Sequence, residues 1–271
     1  MLTGWQNLEK LANGADPEGF GGGGLAAAGG FFGDGEGFGG FHRVGRIGDE
    51  EKEFIQSTRL FVTNGTSLCA SPARESTYRS LEWAREACGR VVLDVDYRAS
   101  SWSSAAQAGL YARLALPLVD ILIGNTEELC IVAESADLDR AVERLRKRGV
   151  GLVVAKLGAA GTRAVSAEES LFLPPYPVEV VSTIGAGDGF ASGFLFALLQ
   201  NMPLATALKY GNAAAAIVVS RLMCSEAMPV LSEVEALIAQ TSDIRLQTSD
   251  LESGAKRSPD PEAWGGTEDE W

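Results

Sequence analysis

The chain has 271 residues, 46% of them hydrophobic, which is enough for one large α/β domain or two small ones. Its 36 acidic and 23 basic residues give a net charge of −13, which argues against a nucleic-acid partner. Four cysteines without metal or disulfide spacing, and the lack of an apolar run long enough to span a bilayer, lead us to expect a cytoplasmic protein without a membrane partner.

Glycine dominates the beginning of the chain, most strongly between Gly19 and Gly40. Because glycine loses more backbone freedom than any other residue when it becomes ordered, we expect residues 1–43 to be a disordered or degenerate segment. No Lys-Ser or Lys-Thr pair follows these glycines, so the sequence does not predict a P-loop. A regular pattern of strands and helices, and with it the folded domain, is expected over residues 44–239.

The first half of this pattern alternates strands with helices. It predicts strands at 59–63, 91–97 and 121–124, and helices at 71–89, 102–116 and 138–149. In open parallel sheets, ligands bind at the carboxyl ends of the strands. The second strand carries Asp94, Asp96, Tyr97 and Arg98 at that end, and we take Asp96 and Arg98 as candidates for binding a substrate. The alternative is an Asp–Arg ion pair that closes a loop.

Asn125 and Glu128 follow the third of these strands. One interpretation is that these two oxygen-bearing side chains bind a ligand. The alternative is a helix cap, in which Asn125 or Thr126 caps the helix and Glu128 lies in its first turn.

The second half of the domain begins with a strand, a glycine turn and another strand within 152–162, followed by further strand at 164–172. Lys156 lies at the end of the first of these strands. Either this lysine reaches a ligand, or it is an exposed lysine at a strand end without a ligand.

Gly185-Ala186-Gly187-Asp188 lies between a β-branched run, predicted to be a strand at 178–181, and an apolar run, predicted to be a helix at 190–199. Glycine lets the backbone turn tightly, and the first turn of a helix offers N–H groups and a partial positive charge to an anion. A simple helix cap would explain Asp188 but not the two glycines beside it. Helices at 204–222 and 232–239 complete the domain, and residues 240–271 are expected to be an acidic disordered tail.

The four residues 185–188, placed between a strand and an apolar helix, resemble the Gly-Ala-Gly-Asp signature of the ribokinase-like (PfkB) carbohydrate kinases. The resemblance implies a three-layer α/β/α fold with a largely parallel central sheet. It also implies that Gly185, Ala186 and Gly187 form an anion hole for the transferred phosphoryl group and that Asp188 accepts the proton of the sugar hydroxyl. Ser182 is a departure, since the family usually has Asp at that position.

Other segments extend this resemblance and imply ATP and Mg²⁺ as cofactors. Asn125 and Glu128 match the family's Asn-x-x-Glu motif, which orders Mg²⁺ and its waters, so they would bind the metal indirectly. The segment with Lys156, Gly158 and Gly161 matches one that lies along the nucleotide in the family, and Asn212 matches a frequent nucleotide contact near adenine. Tight helix packing is the competing explanation for Asn212. The resemblance leaves open a monovalent cation and a homodimer.

Within the family, residues 94–98 with Trp102 and the segments 218–221 and 224–229 resemble the 5-dehydro-2-deoxygluconokinases of myo-inositol breakdown. This implies a small sugar-acid substrate, 5-dehydro-2-deoxy-D-gluconate, phosphorylated on a primary hydroxyl. Arg98 would pair with the substrate carboxylate, and Asp96 and Asp188 would complete the substrate site.

The N-terminal third of a family member supplies most sugar contacts and a small β-sheet lid, and we recognise neither in this sequence. We therefore expect the lid and the first βα units to be incomplete. Two alternatives remain: an inactive remnant that binds only ATP or a partner, and another PfkB kinase, such as a 2-keto-3-deoxygluconate kinase, a fructokinase or a ribokinase.

Overall fold

The computed structural model describes residues 25–28, 48–87, 89–222, 228–241 and 247–248. The chain divides into two compact units. One of them, the N-terminal unit, comprises Gly22–Ala155. The described part of the other, the C-terminal unit, begins at Lys156.

The N-terminal unit alternates strands with helices along the chain. Its elements are β1 (Leu25–Ala28), α1 (Asp49–Gln56), β2 (Leu60–Asn64), α2 (Ala73–Glu86), β3 (Arg90–Asp94), α3 (Ala105–Ala115), β4 (Ile121–Asn125), α4 (Thr126–Ala133), α5 (Leu138–Lys147) and β5 (Leu152–Lys156), whose last residue, Lys156, belongs to the C-terminal unit. Short 3-10 helices follow β2, β3 and α3.

Strands β1 to β4 are parallel neighbours, and β5 lies next to β4. Asn64 at the end of β2 pairs with Asp94 at the end of β3, and β4 ends at Asn125. Since parallel strands point the same way, these polar residues lie at one edge of the sheet, where open α/β sheets bind ligands. The largely parallel sheet agrees with the sequence-based prediction.

The interior of the N-terminal unit is formed by continuous apolar runs in the strands. Val91, Val92 and Leu93 in β3 are fully buried, as are Leu122 and Ile123 in β4. Successive strand residues point to opposite faces, so burial of consecutive residues means that both faces of these strands are covered. Burial of each such side chain contributes about 1.5–3 kcal/mol.

The C-terminal unit combines a β-hairpin with a pair of closely packed helices. Its elements are β6 (Thr162–Val165), β7 (Ser170–Leu173), α6 (Ala186–Leu199), α7 (Leu204–Val219), α8 (Leu231–Gln240) and β8 (Gln247–Thr248). β6 and β7 are antiparallel, and β8 adds antiparallel to β7.

Glycines allow α6 and α7 to approach each other closely. A Cβ atom on Gly193 would lie 2.4 Å from the carbonyl oxygen of Tyr210, and one on Gly211 would lie 2.7 Å from the ring of Phe190. Phe190 stacks on Phe194 with ring centroids 5.6 Å apart, and both rings are buried. The apolar core of this unit therefore begins directly after the glycine turn.

Several predicted elements differ from the structure. Residues 178–181 do not form a strand, although the N–H groups of Val181 and Ser182 both donate to the carbonyl of Val219. Helix α6 begins at Ala186, not at Phe190, because the small residues of the glycine turn already form its first turn.

The two ends of the chain also differ from expectation where they are described. Leu25–Ala28, within the segment 1–43, forms a strand that pairs with β2. Gln247–Thr248 pairs with β7 within the region predicted to be a disordered tail. The other predictions for 1–43 and 242–271 concern residues outside the described ones, and Cys88, Cys224 and residues 224–227 also lie outside them.

Within the described part of the chain, no helix is long and apolar enough to cross a membrane.

Candidate active site

The sequence of β4 leads directly into a capped helix. Asn125 is the N-cap of α4, and its side-chain oxygen accepts a hydrogen bond of 2.8 Å from the N–H of Glu128. The Glu128 carboxylate in return accepts a 2.7 Å bond from the N–H of Asn125. This reciprocal capping box satisfies two N–H groups that a helix start would otherwise leave unpaired, and it confirms the cap interpretation of these residues.

Glu128 also reaches a second segment of the N-terminal unit. Its other carboxylate oxygen accepts a 3.1 Å hydrogen bond from the N–H of Tyr97, and the residue is only 6% exposed. Both oxygens of this buried carboxylate therefore hold backbone groups in place.

The geometry at Asn125 and Glu128 fits a magnesium ion held through water. Among the described residues, no group of three or more His, Cys, Asp or Glu side chains could form a direct metal cage. Mg²⁺ commonly retains several waters and takes one or two carboxylates and the phosphates of its nucleotide. A carboxylate oxygen that accepts one N–H bond keeps a second lone pair for a water. The prediction of indirect binding by these two residues remains a prediction.

The segment after β3 brings Asp96 and Arg98 together. The Nε–H group of Arg98 donates a 2.9 Å hydrogen bond to Asp96 Oδ1, and the two side chains form an ion pair. The ion pair that was the alternative for these residues is thus present. Asp94, the last residue of β3, is buried, whereas the Arg98 side chain is 50% exposed and accessible to a ligand.

The glycine turn forms the start of α6 in the C-terminal unit. Gly185 is the N-cap with a left-handed φ of 85°, and it makes no side-chain cap bond. Asp188 lies in the first turn, as predicted, and residues 185–188 are all partly exposed. The turn therefore offers the positive end of a long apolar helix together with a carboxylate.

Lys156 extends from the end of β5 to this same turn. Its Nζ lies 3.4 Å from the position that a Cβ atom on Gly187 would occupy. The side chain of a lysine spans several ångströms, and the absence of a side chain at position 187 leaves room for its ammonium group. The structure thus places a cation beside the predicted anion hole.

The loop between β5 and β6 contains Gly158 and Gly161. Gly158 begins a 3-10 helix, and the N–H of Leu157 donates a 2.8 Å bond to the carbonyl of Gly161, which closes the loop. Gly161 has a φ of 105°, and a Cβ atom there would lie 2.3 Å from the carbonyl oxygen of Leu173. Gly161 is therefore required by the turn itself, whatever its relation to a nucleotide.

Asn212 is buried in α7 and 6% exposed. Its amide nitrogen donates to the carbonyls of Leu173 and Pro174, at 3.3 and 3.1 Å, and its oxygen accepts a 2.9 Å bond from the Thr162 hydroxyl. These bonds tie α7 to both strands of the hairpin. They favour the packing explanation over a direct nucleotide contact.

Sequence reasoning missed two partners in these sites. Thr66 donates its hydroxyl to Asp96, 30 residues away, and the Tyr97 N–H bonds to Glu128, 31 residues away. Neither contact has a local signal. The parallel order of β2, β3 and β4, which places their ends side by side, was the one available hint.

Residues 45–231 match the family described as pfkB family carbohydrate kinase. This chain is a member of the pfkB family of carbohydrate kinases. The match covers more than half of the chain and includes every residue of the sites described above. The predicted family is confirmed.

Curated and solved relatives agree with this assignment. The chain is 36% identical over 194 residues to a 5-dehydro-2-deoxygluconokinase of Bacillus licheniformis, covering 70% of this chain and 60% of the relative. It therefore spans about 60% of the length of that relative.

Two crystal structures show the fold. The aminoimidazole riboside kinase of Salmonella enterica, complexed with aminoimidazole riboside and an ATP analog, is 29% identical with a TM-score of 0.62, covering 66% of this chain and 62% of that one. The fructokinase of Xylella fastidiosa with bound ATP is 23% identical with a TM-score of 0.63, covering 69% and 63%. The predicted ribokinase-like α/β fold is thereby confirmed.

Proposed function

We propose that this pfkB family chain transfers the γ-phosphoryl group of ATP to the primary hydroxyl of a sugar acid, 5-dehydro-2-deoxy-D-gluconate. The observation that carries the proposal is the arrangement at the start of α6. There Lys156 Nζ lies beside Gly187, in the same turn that holds Asp188. Phosphoryl transfer requires groups that stabilise negative charge and a group that accepts a proton. Here the helix N–H groups and the Lys156 ammonium would do the first, and the Asp188 carboxylate would do the second.

The glycine turn stabilises the charge of the transferring group. The three equatorial oxygens of the phosphoryl group gain charge in the transition state, and preorganised donors lower the barrier without reorganisation. In this proposal the N–H groups of residues 185–187 and the ammonium group of Lys156 provide those donors.

Asp188 removes the proton of the attacking hydroxyl. It lies in the same turn as the donors, so a hydroxyl close to the phosphoryl group is also close to a carboxylate. General-base assistance of this kind contributes a factor of about 10²–10⁴ in rate. The proton moves from the substrate oxygen to the Asp188 carboxylate as the new O–P bond forms.

ATP and Mg²⁺ are the proposed cofactors. In the N-terminal unit, Asn125 and Glu128 would hold the waters of Mg²⁺. In the C-terminal unit, the closed loop with Gly158 would lie along the nucleotide. The aminoimidazole riboside kinase of Salmonella enterica, crystallised with an ATP analog, supports this part.

The sugar-acid substrate is supported by the relative in Bacillus licheniformis and by the half-exposed guanidinium of Arg98. An arginine presents a planar fork of N–H donors that matches a carboxylate, which a neutral sugar lacks. A different pfkB substrate would be favoured if Arg98 had no role in substrate binding.

A substrate panel tests the proposal. Purified full-length chain is incubated with Mg²⁺ and ATP together with 5-dehydro-2-deoxy-D-gluconate, 2-keto-3-deoxy-D-gluconate, D-fructose or D-ribose, and ADP and the phosphorylated product are quantified by ³¹P NMR and mass spectrometry. We expect a phosphomonoester with the first acid and the largest kcat/KM for it.

The other outcomes separate the alternatives. A product from a neutral sugar alone would replace the proposed substrate, and ADP without a phosphorylated sugar would indicate idle hydrolysis. ATP binding by calorimetry without any product or ADP would contradict the proposed activity and support a non-catalytic chain.

A further inference from the structure

The turn after β3 contains a residue in an unfavourable backbone conformation. Asp96 has a φ of 36°, in the left-handed region that residues other than glycine rarely adopt. Such a conformation costs about 1–3 kcal/mol and persists only where the surroundings impose it. The residues that impose it here lie in the same unit.

Thr66 binds Asp96 at two points. Its Oγ1 lies 3.0 Å from Asp96 Oδ2 and 3.2 Å from the Asp96 carbonyl oxygen, and Thr66 is 8% exposed. A hydroxyl has one hydrogen to donate, and both acceptors lie within its reach. The single hydrogen is shared between the carboxylate and the carbonyl oxygen of Asp96, so this one hydroxyl links Thr66 to both groups.

The backbone on either side is held as firmly. A Cβ atom on Gly65 would lie 2.1 Å from the carbonyl oxygen of Val95, so only glycine permits this approach. The N–H of Val95 donates a 2.8 Å bond to Ile123, and that of Tyr97 donates to Glu128. The turn therefore has little freedom to move when a ligand binds.

The carboxylate of Asp96 connects this rigid turn to the side chain of Arg98. Its Oδ2 is engaged by Thr66, and its Oδ1 accepts the bond from Arg98 Nε. A half-exposed ion pair adds only about 0–1 kcal/mol to stability, which does not explain a strained backbone. The bond at Nε does, however, fix the plane of the guanidinium and leaves the edge formed by its Nη groups as the fork for a ligand.

We propose that Asp96 is a positioning residue, not a substrate contact, and that Thr66 holds Asp96 so that the guanidinium of Arg98 is preorganised to bind a sugar-acid carboxylate. The inference rests on the proposed function, because it names how that site selects an acid. It gives Asp96 a different role from the substrate contact that the sequence predicts, and it adds Thr66, which the sequence did not suggest. Preorganisation lowers the entropy cost of binding, so it acts on KM more than on kcat.

The test follows the Arg98 Nε–H signal by NMR in full-length protein labelled with ¹⁵N-arginine. The signal is assigned by its loss in Arg98→Lys, and the protein is titrated with 5-dehydro-2-deoxy-D-gluconate or with D-fructose as the neutral probe. We expect a saturable shift with the acid only. Thr66→Val should raise the Kd for the acid about 10-fold, whereas Thr66→Ser, which keeps the hydroxyl, should stay within about 2-fold.

Matched variants separate positioning from general damage. Thr77→Val also removes a buried threonine hydroxyl, one that donates to Ala73 at 2.8 Å, and it should leave the Kd unchanged. If Thr66→Val does not fold, Asp96→Asn, which keeps the shape of the side chain, should raise the Kd for the acid about 10-fold. In kinetic assays, Thr66→Val should raise KM for the acid and leave kcat within about 2-fold.

Several results would overturn the inference: an unchanged Kd in Thr66→Val, tighter acid binding by Asp96→Asn, or equal losses for acid and fructose. These outcomes are distinct from failure of the proposed function. Phosphorylation of fructose without acid binding at Arg98 would overturn the inference and leave kinase activity intact. Acid binding at Arg98 without phosphoryl transfer would overturn the proposed function and leave the inference standing.

Discussion

The two units each begin a helix with an acidic residue at the same position, and the two acids have different surroundings. Glu128 is the third residue of α4 after its cap Asn125, and Asp188 is the third residue of α6 after its cap Gly185. Glu128 is buried and gives both carboxylate oxygens to backbone N–H groups. Asp188 is partly exposed, and its helix has no side-chain cap.

The difference between the two starts follows from the cap residue. Asn125 bonds to the first turn of α4, and the reciprocal box uses the acid for structure. Gly185 has no side chain, so no side-chain cap competes with an anion for the N–H groups at the start of α6. Lys156 lies beside this turn. We infer that Glu128 organises the fold around a ligand, whereas Asp188 takes part in the reaction.

Substitution of Glu128 by Gln should cause the largest loss of stability. The variant keeps the shape but replaces one of two charged acceptors by an NH₂ group that faces a backbone donor. Loss of a charge-assisted buried hydrogen bond costs about 2–3 kcal/mol. Urea unfolding followed by circular dichroism would measure this change.

Glu127→Gln is the matched control, since Glu127 is exposed in the same helical turn, and it should change stability by less than about 0.5 kcal/mol. Equal stability of the Glu127 and Glu128 variants would break the comparison between the two helix starts.

Asn212→Ala extends the comparison to a second buried polar residue, which lies in the C-terminal unit. Asn212 resembles Glu128 in that its buried polar atoms hold other segments, here the hairpin. We expect a loss of about 2 kcal/mol, because the Thr162 hydroxyl and two carbonyls lose their partner. Isothermal calorimetry should give a Kd for Mg·ATP within about 3-fold of wild type, with exposed Gln200→Ala as the control. A Kd raised more than tenfold in a folded variant would restore Asn212 as a nucleotide contact.

Tyr78→Phe shows the effect on stability and kcat of losing one partly buried hydrogen bond that lies outside both helix starts. The Tyr78 hydroxyl donates a 2.7 Å bond to the carbonyl of Tyr111, and its removal should cost about 1 kcal/mol at pH 7 without changing kcat. Thermal unfolding and steady-state assays would show both effects. If Tyr78→Phe lowered kcat as much as an active-site variant does, a lower kcat could not be taken as evidence for a role in the reaction.

The same variant has a pH signature. Burial raises the pKa of Tyr78 from 10.0 to about 12 in the folded protein. Between these values the unfolded chain releases the proton and the folded chain keeps it, so stability falls as pH rises through this interval. Burial also raises the pKa of Tyr176 to about 12, so Tyr78→Phe should make the alkaline loss shallower without abolishing it. An unchanged slope would contradict the assigned environment of Tyr78.

Local signals in the sequence indicated where two helices start, although α6 begins four residues before the predicted Phe190. The Asn-x-x-Glu spacing predicts the capping box at Asn125, and the glycines before Asp188 predict a tight turn at a helix start. Periodicity placed most other helices and strands of the described chain within a few residues. The short polar helix α1 was missed, since it is eight residues long and mostly polar.

Contacts between distant residues were not predictable. The β-branched run 178–181 favours a strand by propensity, but a strand also needs a neighbouring strand to pair with. Here the N–H groups of Val181 and Ser182 bond to the carbonyl of Val219 at the end of α7 instead. Glu128, Asp96 and Asn212 each have one partner 30 or more residues away, which is Tyr97, Thr66 and Thr162 respectively. The roles of these three residues depend on which distant segments pack together, and the sequence pattern does not show this.

The role of Asp188 is tested most directly by single-turnover phosphoryl transfer from ATP to 5-dehydro-2-deoxy-D-gluconate in wild type and Asp188→Asn. The account predicts a rate reduced about 1,000-fold in the variant, with the Kd for Mg·ATP within about 2-fold of wild type, because Asn keeps the shape of the turn but cannot take the proton. A variant that transfers the phosphoryl group at the wild-type rate would contradict it.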